Sequence, residues 1–354
     1  MTKTARGNFF EDFTLGQEIV HATPRTVTEG DVALYTALYG SRFAVNCSDP
    51  FAMDLGLAAA PLDDFLTFHF VFGKTVPDIS LNAVANLGYA DGRFLKPVYP
   101  GDTLTAVSQV IGLRELSNGK AGVVYVRSTG TNQADEVVLD YVRWVMVNKG
   151  DPSAPAPKEV IPDLPAAVAA RDLIVPDELD FSAYDTVLAG ASHLWDDYEA
   201  GEKIDHVDGI TMEEAEHMLA TRMYQNTARV HFNQVMQAES RFGKRLIYGG
   251  HIISLARAIS FNGLGNACFI AALNGGRHVA PSFAGDTIFA WSEVLEKAGI
   301  PGRSDVGALR LRTVGVKNQP AAGFPDKGED GKDHPAVVLD LDYWALMPRG
   351  WLAG

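Results

Sequence analysis

Cysteine is almost absent: Cys47 and Cys268 are the only two in 354 residues. Two cysteines so far apart match no metal-ligand spacing and no disulfide framework, and are expected to be reduced core thiols. Long apolar runs are missing too. No stretch reaches the roughly 18 residues needed to cross a bilayer, and the opening MTKTARGNFFEDF lacks the apolar centre of a signal segment. Both absences point to a cytoplasmic protein with no membrane partner. Positive charge is scarce: 30 Lys and Arg face 44 Asp and Glu, for a net charge of −14. That argues against a nucleic-acid backbone or an anionic membrane as a general partner. An anionic small ligand remains open, through a local basic cluster working against the overall field. No glycine fingerprint sits in a strand-turn-helix setting, so no redox nucleotide is expected.

What is present is ordinary for a globular protein, 47% hydrophobic and 21% charged. The length exceeds one average core, which makes two domains the default. The chain is in fact written twice. FFEDFTLGQEI (Phe9 to Ile19) returns as LWDDYEAGEKI (Leu194 to Ile204), 185 residues later. GRFLKPVYPGDTL (Gly92 to Leu104) returns as GRHVAPSFAGDTI (Gly276 to Ile288), and VVLDYVRWVMV returns as VVLDLDYWALM. Two copies are too few for a solenoid. They are read as an N-terminal domain over residues 1–150, a Pro-rich linker over 151–186 and a C-terminal domain over 187–354. Each copy carries a mostly apolar helix, LDDFLTFHFVFGKT and then HIISLARAISFNG, followed by strand-like runs rich in β-branched and aromatic residues. One apolar helix followed by several antiparallel strands predicts an α+β fold, each half a curved sheet wrapped round its helix. The charged, Gly-rich insertion GFPDKGEDGKDHP (Gly323 to Pro335) reads as an exposed loop.

The chemistry is sought between Thr221 and Gly263. His231 lies in a polar segment, and 18 residues on, Gly249 and Gly250 precede a helical pattern of apolar residues. Glycines at a helix start let a ligand approach unpaired N–H groups backed by the helix dipole. With an imidazole nearby they would suit a developing oxyanion. The same residues also suit a surface histidine and an ordinary turn before a core helix. His251 is a candidate for lining the pocket; His217 reads as a solvated helix face. His193, His206 and His278 lack partners at metal spacing, so no metal site is expected. Trp195, Trp291 and Trp344 are assigned to packing.

The segments FEDF, RTVTEGD (Arg25 to Asp31) and PVYPGDTL (Pro97 to Leu104), with their second-copy echoes, resemble the MaoC-like dehydratases, the (R)-specific enoyl-CoA hydratases. The resemblance covers nearly the whole chain and implies a double hotdog fold. QNTARVHFN with YGGHIIS is similar to a narrower branch, the mesaconyl-CoA (2-methylfumaryl-CoA) hydratases. That branch implies reversible hydration of mesaconyl-CoA to β-methylmalyl-CoA, with an acyl-CoA substrate and no cofactor beyond the CoA it carries. A general enoyl-CoA hydratase and a non-catalytic acyl-CoA-binding subunit are the alternatives, and a homo-oligomer is compatible with all three. By the same resemblance, the family's catalytic Asp and His fall on Ser41 and Asn46 in the first copy, which leaves that site dead. In the second copy they fall on Asn226 and His231, with the family's helix-start glycine at Gly250. A dicarboxylate-derived substrate could itself stand in for the missing carboxylate. Arg229, Arg222 and Arg277 are the cations expected to accompany it, with Gly249 and His251 beside the substrate.

Overall fold

A computed structural model describes residues 3–350 of the chain. The first copy supplies strands β1 (Glu18–Val20), β2 (Arg25–Thr26), β3 (Ala83–Phe94), β4 (Thr103–Glu115), β5 (Ala121–Thr131) and β6 (Val137–Asn148). The second supplies β7 (Lys203–Thr211), β8 (Phe269–His278), β9 (Thr287–Gly299), β10 (Val306–Lys317) and β11 (Val337–Pro348). They form one 11-stranded sheet in the order β1-β4-β5-β6-β3-β8-β11-β10-β9-β7, with β2 on β4. The seam is β3 against β8, antiparallel, with Tyr89 opposite Gly276 and Gly92 opposite Leu273.

Each half of the sheet curls round one helix. The first central helix, Asp64–Thr75, packs on β4, β5 and β6; the second, Gly249–Ile259, packs on β7, β9, β10 and β11. Every residue from Phe65 to Thr75 and from Gly250 to Ile259 is buried, as expected of a helix that lacks a polar stripe. The two helices lie against each other. At their midpoints His69 Nε2 meets Ser254 Oγ at 2.9 Å. The end of the first approaches the start of the second, where the Phe72 and Tyr248 ring centroids are 5.7 Å apart. The first helix then loosens into a π-helical turn, Val76–Ser80.

The duplication is visible bond by bond. Phe9 N–H donates to Asp12 Oδ2 at 2.8 Å, and Leu194 N–H to Asp197 Oδ2 at 2.8 Å. His21 Nε2 lies 2.8 Å from Ser108 Oγ, and His206 Nε2 2.8 Å from Ser292 Oγ. RTVTEGD turns out to be a helix start: Thr28 and Asp31 form a capping box that opens Glu29–Tyr39. Between the copies the chain is not a free spacer. Leu179 and Phe181 are buried in a cluster with Phe51 and Trp344, and Trp344 Nε1 donates to the Val168 carbonyl. Trp344 faces away from the central helix because its neighbour Tyr343 faces toward it. The charged insertion is exposed over much of its length but pinned, Asp326 by Arg312 and Asp333 by Arg277. Both cysteines are free; Cys268 is buried, whereas Cys47 is exposed and so is no core thiol.

Candidate active site

His231 closes the short turn Arg229–His231, and its Nδ1 lies 2.9 Å from the Leu246 carbonyl oxygen. A carbonyl only accepts, so Nδ1 carries the proton. Nε2 therefore presents a lone pair, and it has no protein partner among the described residues. Burial pushes the ring down to about 4, against a smaller opposite push from the Leu246 carbonyl. His231 is thus a neutral imidazole near neutral pH, fixed in the tautomer a base needs.

One ring away the second central helix begins. The His231 and Tyr248 ring centroids are 5.6 Å apart, and Tyr248 is the residue that caps the helix. Its backbone N–H donates to His217 Nε2 at 2.8 Å, which anchors the helix start. No side chain caps this helix, and the N–H groups of Gly249 and Gly250 bond to nothing among the described residues. Two free donors at a buried helix end call for an acceptor from outside the chain. Both glycines are required by space. A Cβ on Gly249 would meet the His278 ring at 2.4 Å, and one on Gly250 would meet Tyr248 Cε1 at 2.4 Å and His69 Cε1 at 2.5 Å.

The equivalent place in the first copy is closed. Position 63 corresponds to 248 at the 185-residue offset, and Asp63 accepts the Phe65 N–H there at 2.9 Å. Next to it Asp64 accepts the Ile270 N–H at 2.6 Å. The Asp63 carboxyl thus occupies the helix end that a negative reaction centre would need, while Asp64 is tied to strand β8. Asn46 is spent on the Pro61 and Leu62 carbonyls, and the Ser41 hydroxyl is buried without a partner.

Asn226 is buried, and its Oδ1 accepts the Ala228 N–H at 3.0 Å. Its amide nitrogen has no protein partner among the described residues. Asn226 lines a cavity of about 720 Å³ whose other walls include Gly73, Lys74 and Asp78 from the first copy and Arg222 and Phe232 from the second. His231, Gly249 and Gly250 do not line it, and Phe232, next to His231 in sequence, is its wall nearest the imidazole along the chain. The volume falls in the usual range for small-ligand sites. Gln225 also lines it, with φ at +56°, in the left-handed region. The first copy has Gly40 at that place, with φ +65°. Keeping a side chain there costs roughly 1 kcal/mol, and the side chain kept faces the cavity.

Several residues singled out from sequence lie elsewhere. His217 is not on a solvated helix face; it is buried and holds Tyr248. His251 points into the core, its Nδ1 2.8 Å from the Tyr39 hydroxyl, so it does not line the cavity. Arg277 is committed to Asp333 and Asp340 on the sheet and is not free for a substrate. Arg229 reaches back to Asn82 Oδ1 at 3.3 Å and the Arg6 carbonyl at 3.4 Å. Arg222 alone of the three lines the cavity. Sequence reading missed Lys74, because nothing within its own copy marks it. Among the described residues no group of three or more His, Cys, Asp or Glu could hold a metal ion, and no helix is long and apolar enough to cross a membrane.

The chain is similar to known proteins over almost its whole length. The mesaconyl-CoA hydratase family matches residues 1–324. The β-methylmalyl-CoA dehydratase of Chloroflexus aurantiacus is 67% identical over 347 residues, covering 98% of this chain and 99% of that protein. A solved MaoC domain protein dehydratase from the same organism superposes with a TM-score of 0.97 at 66% identity, covering 99% of this chain and 100% of that one. A Mycobacterium tuberculosis protein described as a double hotdog has a TM-score of 0.74 over 97% of this chain and 99% of its own, at 23% identity, a likeness of fold alone. The fold is a double hotdog.

Proposed function

The chain belongs to the mesaconyl-CoA hydratase family, and from that premise we propose how its residues carry the reaction. The protein is a hydro-lyase that interconverts mesaconyl-CoA and β-methylmalyl-CoA. Hydration puts a hydroxyl on the carbon that bears the free carboxylate and a proton on the methyl-bearing carbon beside the thioester. His231 Nε2 takes a proton from water as the new C–O bond forms. The electron pair of the double bond moves toward the thioester, whose oxygen gains charge. The Gly250 N–H, with Gly249 beside it, holds that oxygen. The proton on His231 then passes to the methyl-bearing carbon, and the imidazole is neutral again. Dehydration is the same path reversed.

Asn226 orients the water through its free amide; it cannot ionise. A base held near 4 is weak alone, but the substrate brings its own carboxylate beside the attacked carbon. An anion there favours the imidazolium formed in the transition state. Asn226 in place of an Asp fits such a substrate, since a second carboxylate would repel the first. No cofactor is needed beyond the CoA of the substrate.

The observation that carries this reading is the uncapped helix start beside an imidazole whose Nε2 is free. The test is loss of the enoyl-thioester absorbance with mesaconyl-CoA, by wild type and His231→Ala. General acid–base groups contribute about 10² to 10⁴-fold, so the variant should fall at least that far while its circular dichroism is unchanged. A variant that keeps more than half the wild-type rate removes His231 from the mechanism.

A further inference from the structure

The reading above requires a cation for the free carboxylate of the acyl group, and the arginines expected for it are mostly engaged elsewhere. Arg277 is paired on the sheet, and Arg229 is tied to Asn82 and the Arg6 carbonyl. Lys74 is different. It lies on the last turn of the first central helix and lines the same cavity as Asn226. It is only 3% exposed, and its Nζ has one partner, the Thr23 carbonyl oxygen at 2.5 Å.

No carboxylate pairs with it. Asp78, the acid on the cavity wall, is taken by His21 Nδ1 at 2.7 Å. A buried ammonium with one neutral acceptor keeps two unused donors and an uncompensated charge, which is costly unless a ligand supplies the anion. Burial and the neighbouring Arg25 lower its pKa to about 8, so it is mostly charged near neutrality. Lys74 is also held against the catalytic loop of the other copy. The preceding residue, Gly73, packs so tightly there that a Cβ would lie 1.9 Å from the Tyr224 carbonyl oxygen and 3.4 Å from the Asn226 nitrogen.

We propose that Lys74, contributed by the copy without catalytic chemistry, is the specificity residue of the acyl pocket: its ammonium pairs with the free carboxylate of a dicarboxylic acyl-CoA. The inference rests on the assignment of an acyl-CoA carrying such a carboxylate. The carboxylate is attached to the carbon that water attacks, so a cation that holds it also fixes that carbon against Asn226. It offsets the repulsion between the carboxylate and the incoming oxygen as well.

Binding of two saturated analogues separates this role from a contact to CoA itself. Succinyl-CoA carries the free carboxylate, butyryl-CoA does not, and neither can be hydrated. Titration calorimetry on the full-length protein should show Lys74→Met weakening succinyl-CoA at least about thirtyfold while butyryl-CoA stays within about threefold. The butyryl-CoA arm also reports that the variant is folded; if it is not, Lys74→Gln, which keeps a neutral N–H donor on that side, takes its place with the same expectation. Parallel weakening of both analogues would assign Lys74 to the CoA moiety and overturn the proposal, as would unchanged binding of both. Wild type that binds succinyl-CoA with this dependence but does not turn over mesaconyl-CoA would refute the catalytic reading and leave the Lys74 assignment standing.

Discussion

Acid should destabilise this protein through its buried histidines. His69, His206, His217 and His251 are each no more than 2% exposed. Burial pushes them down to about 3, 4, 2 and 3 respectively. A group whose folded pKa lies below its unfolded value binds fewer protons in the fold, so stability falls as pH drops through the unfolded value near 6.5. Between pH 7 and pH 5 each such imidazole costs roughly 2 kcal/mol, and the four together about 8 kcal/mol. One carboxyl works the other way. Burial raises Asp64 to about 8, so the fold holds a proton that the unfolded chain releases. Asp64 therefore returns roughly 2–3 kcal/mol over the same interval. Asp63, raised by burial as well, trims the loss further. The net loss is about 5 kcal/mol or somewhat less, a large share of the ~5–15 kcal/mol typical of a folded domain. Urea denaturation at pH 7 and pH 5, at one ionic strength, measures it, and the pH dependence should report about two protons taken up on unfolding, averaged over that interval. Equal or greater stability at pH 5 would refute the reasoning.

Gly73→Ala should gain about 1 kcal/mol of helix propensity and lose more than that, because the new Cβ meets rigid backbone at Tyr224; overpacking costs about 1–3 kcal/mol and sometimes more. A fall in both the urea midpoint and kcat is expected, and a more stable variant would show that the helix contact gives way freely. Gly250→Ala should cut kcat at least about tenfold: the N–H remains, but the new Cβ meets Tyr248 and His69 and must shift it, and a misplacement of about 1 Å can cost about 10²-fold; steady-state rates on mesaconyl-CoA decide it. Asn226→Asp should lower turnover of mesaconyl-CoA, because two carboxylates would crowd one water, and should spare or help crotonyl-CoA. Parallel responses of the two substrates would reduce Asn226 to a hydrogen-bonding support.

Most of the architecture was legible because the duplication is written in residues that make local structure. Thr28 and Asp31 cap a helix, the paired Gly-Asp-Thr turns open strands, and both bonds need only near neighbours. The imidazole proposed as the base could be picked out for the same reason: His231 sits in a motif. Long-range geometry was not. His217 lies at a position that reads as amphipathic surface, yet it turns inward because the Tyr248 N–H needs an acceptor 31 residues away in sequence. The state of the helix ends was available and overlooked. At the 185-residue offset, Asp63 corresponds to Tyr248, so the first copy caps with a side-chain carboxyl the helix start whose N–H groups the second leaves bare. Lys74 could not be found in this way, because its own partner, the Thr23 carbonyl, marks no site, and the cavity it lines is completed by Arg222, Asn226 and Phe232 of the other copy. That juxtaposition gives the first copy a structural role whether or not it carries chemistry. Its helix end supplies a cavity wall, its Gly73 lets the Asn226 loop approach, and its strand β3 completes the sheet against β8. On the proposed reading the first copy, with Ser41 and Asn46, lacks a reaction centre of its own, whereas removing its central helix would open the cavity that Gly73 and Lys74 wall.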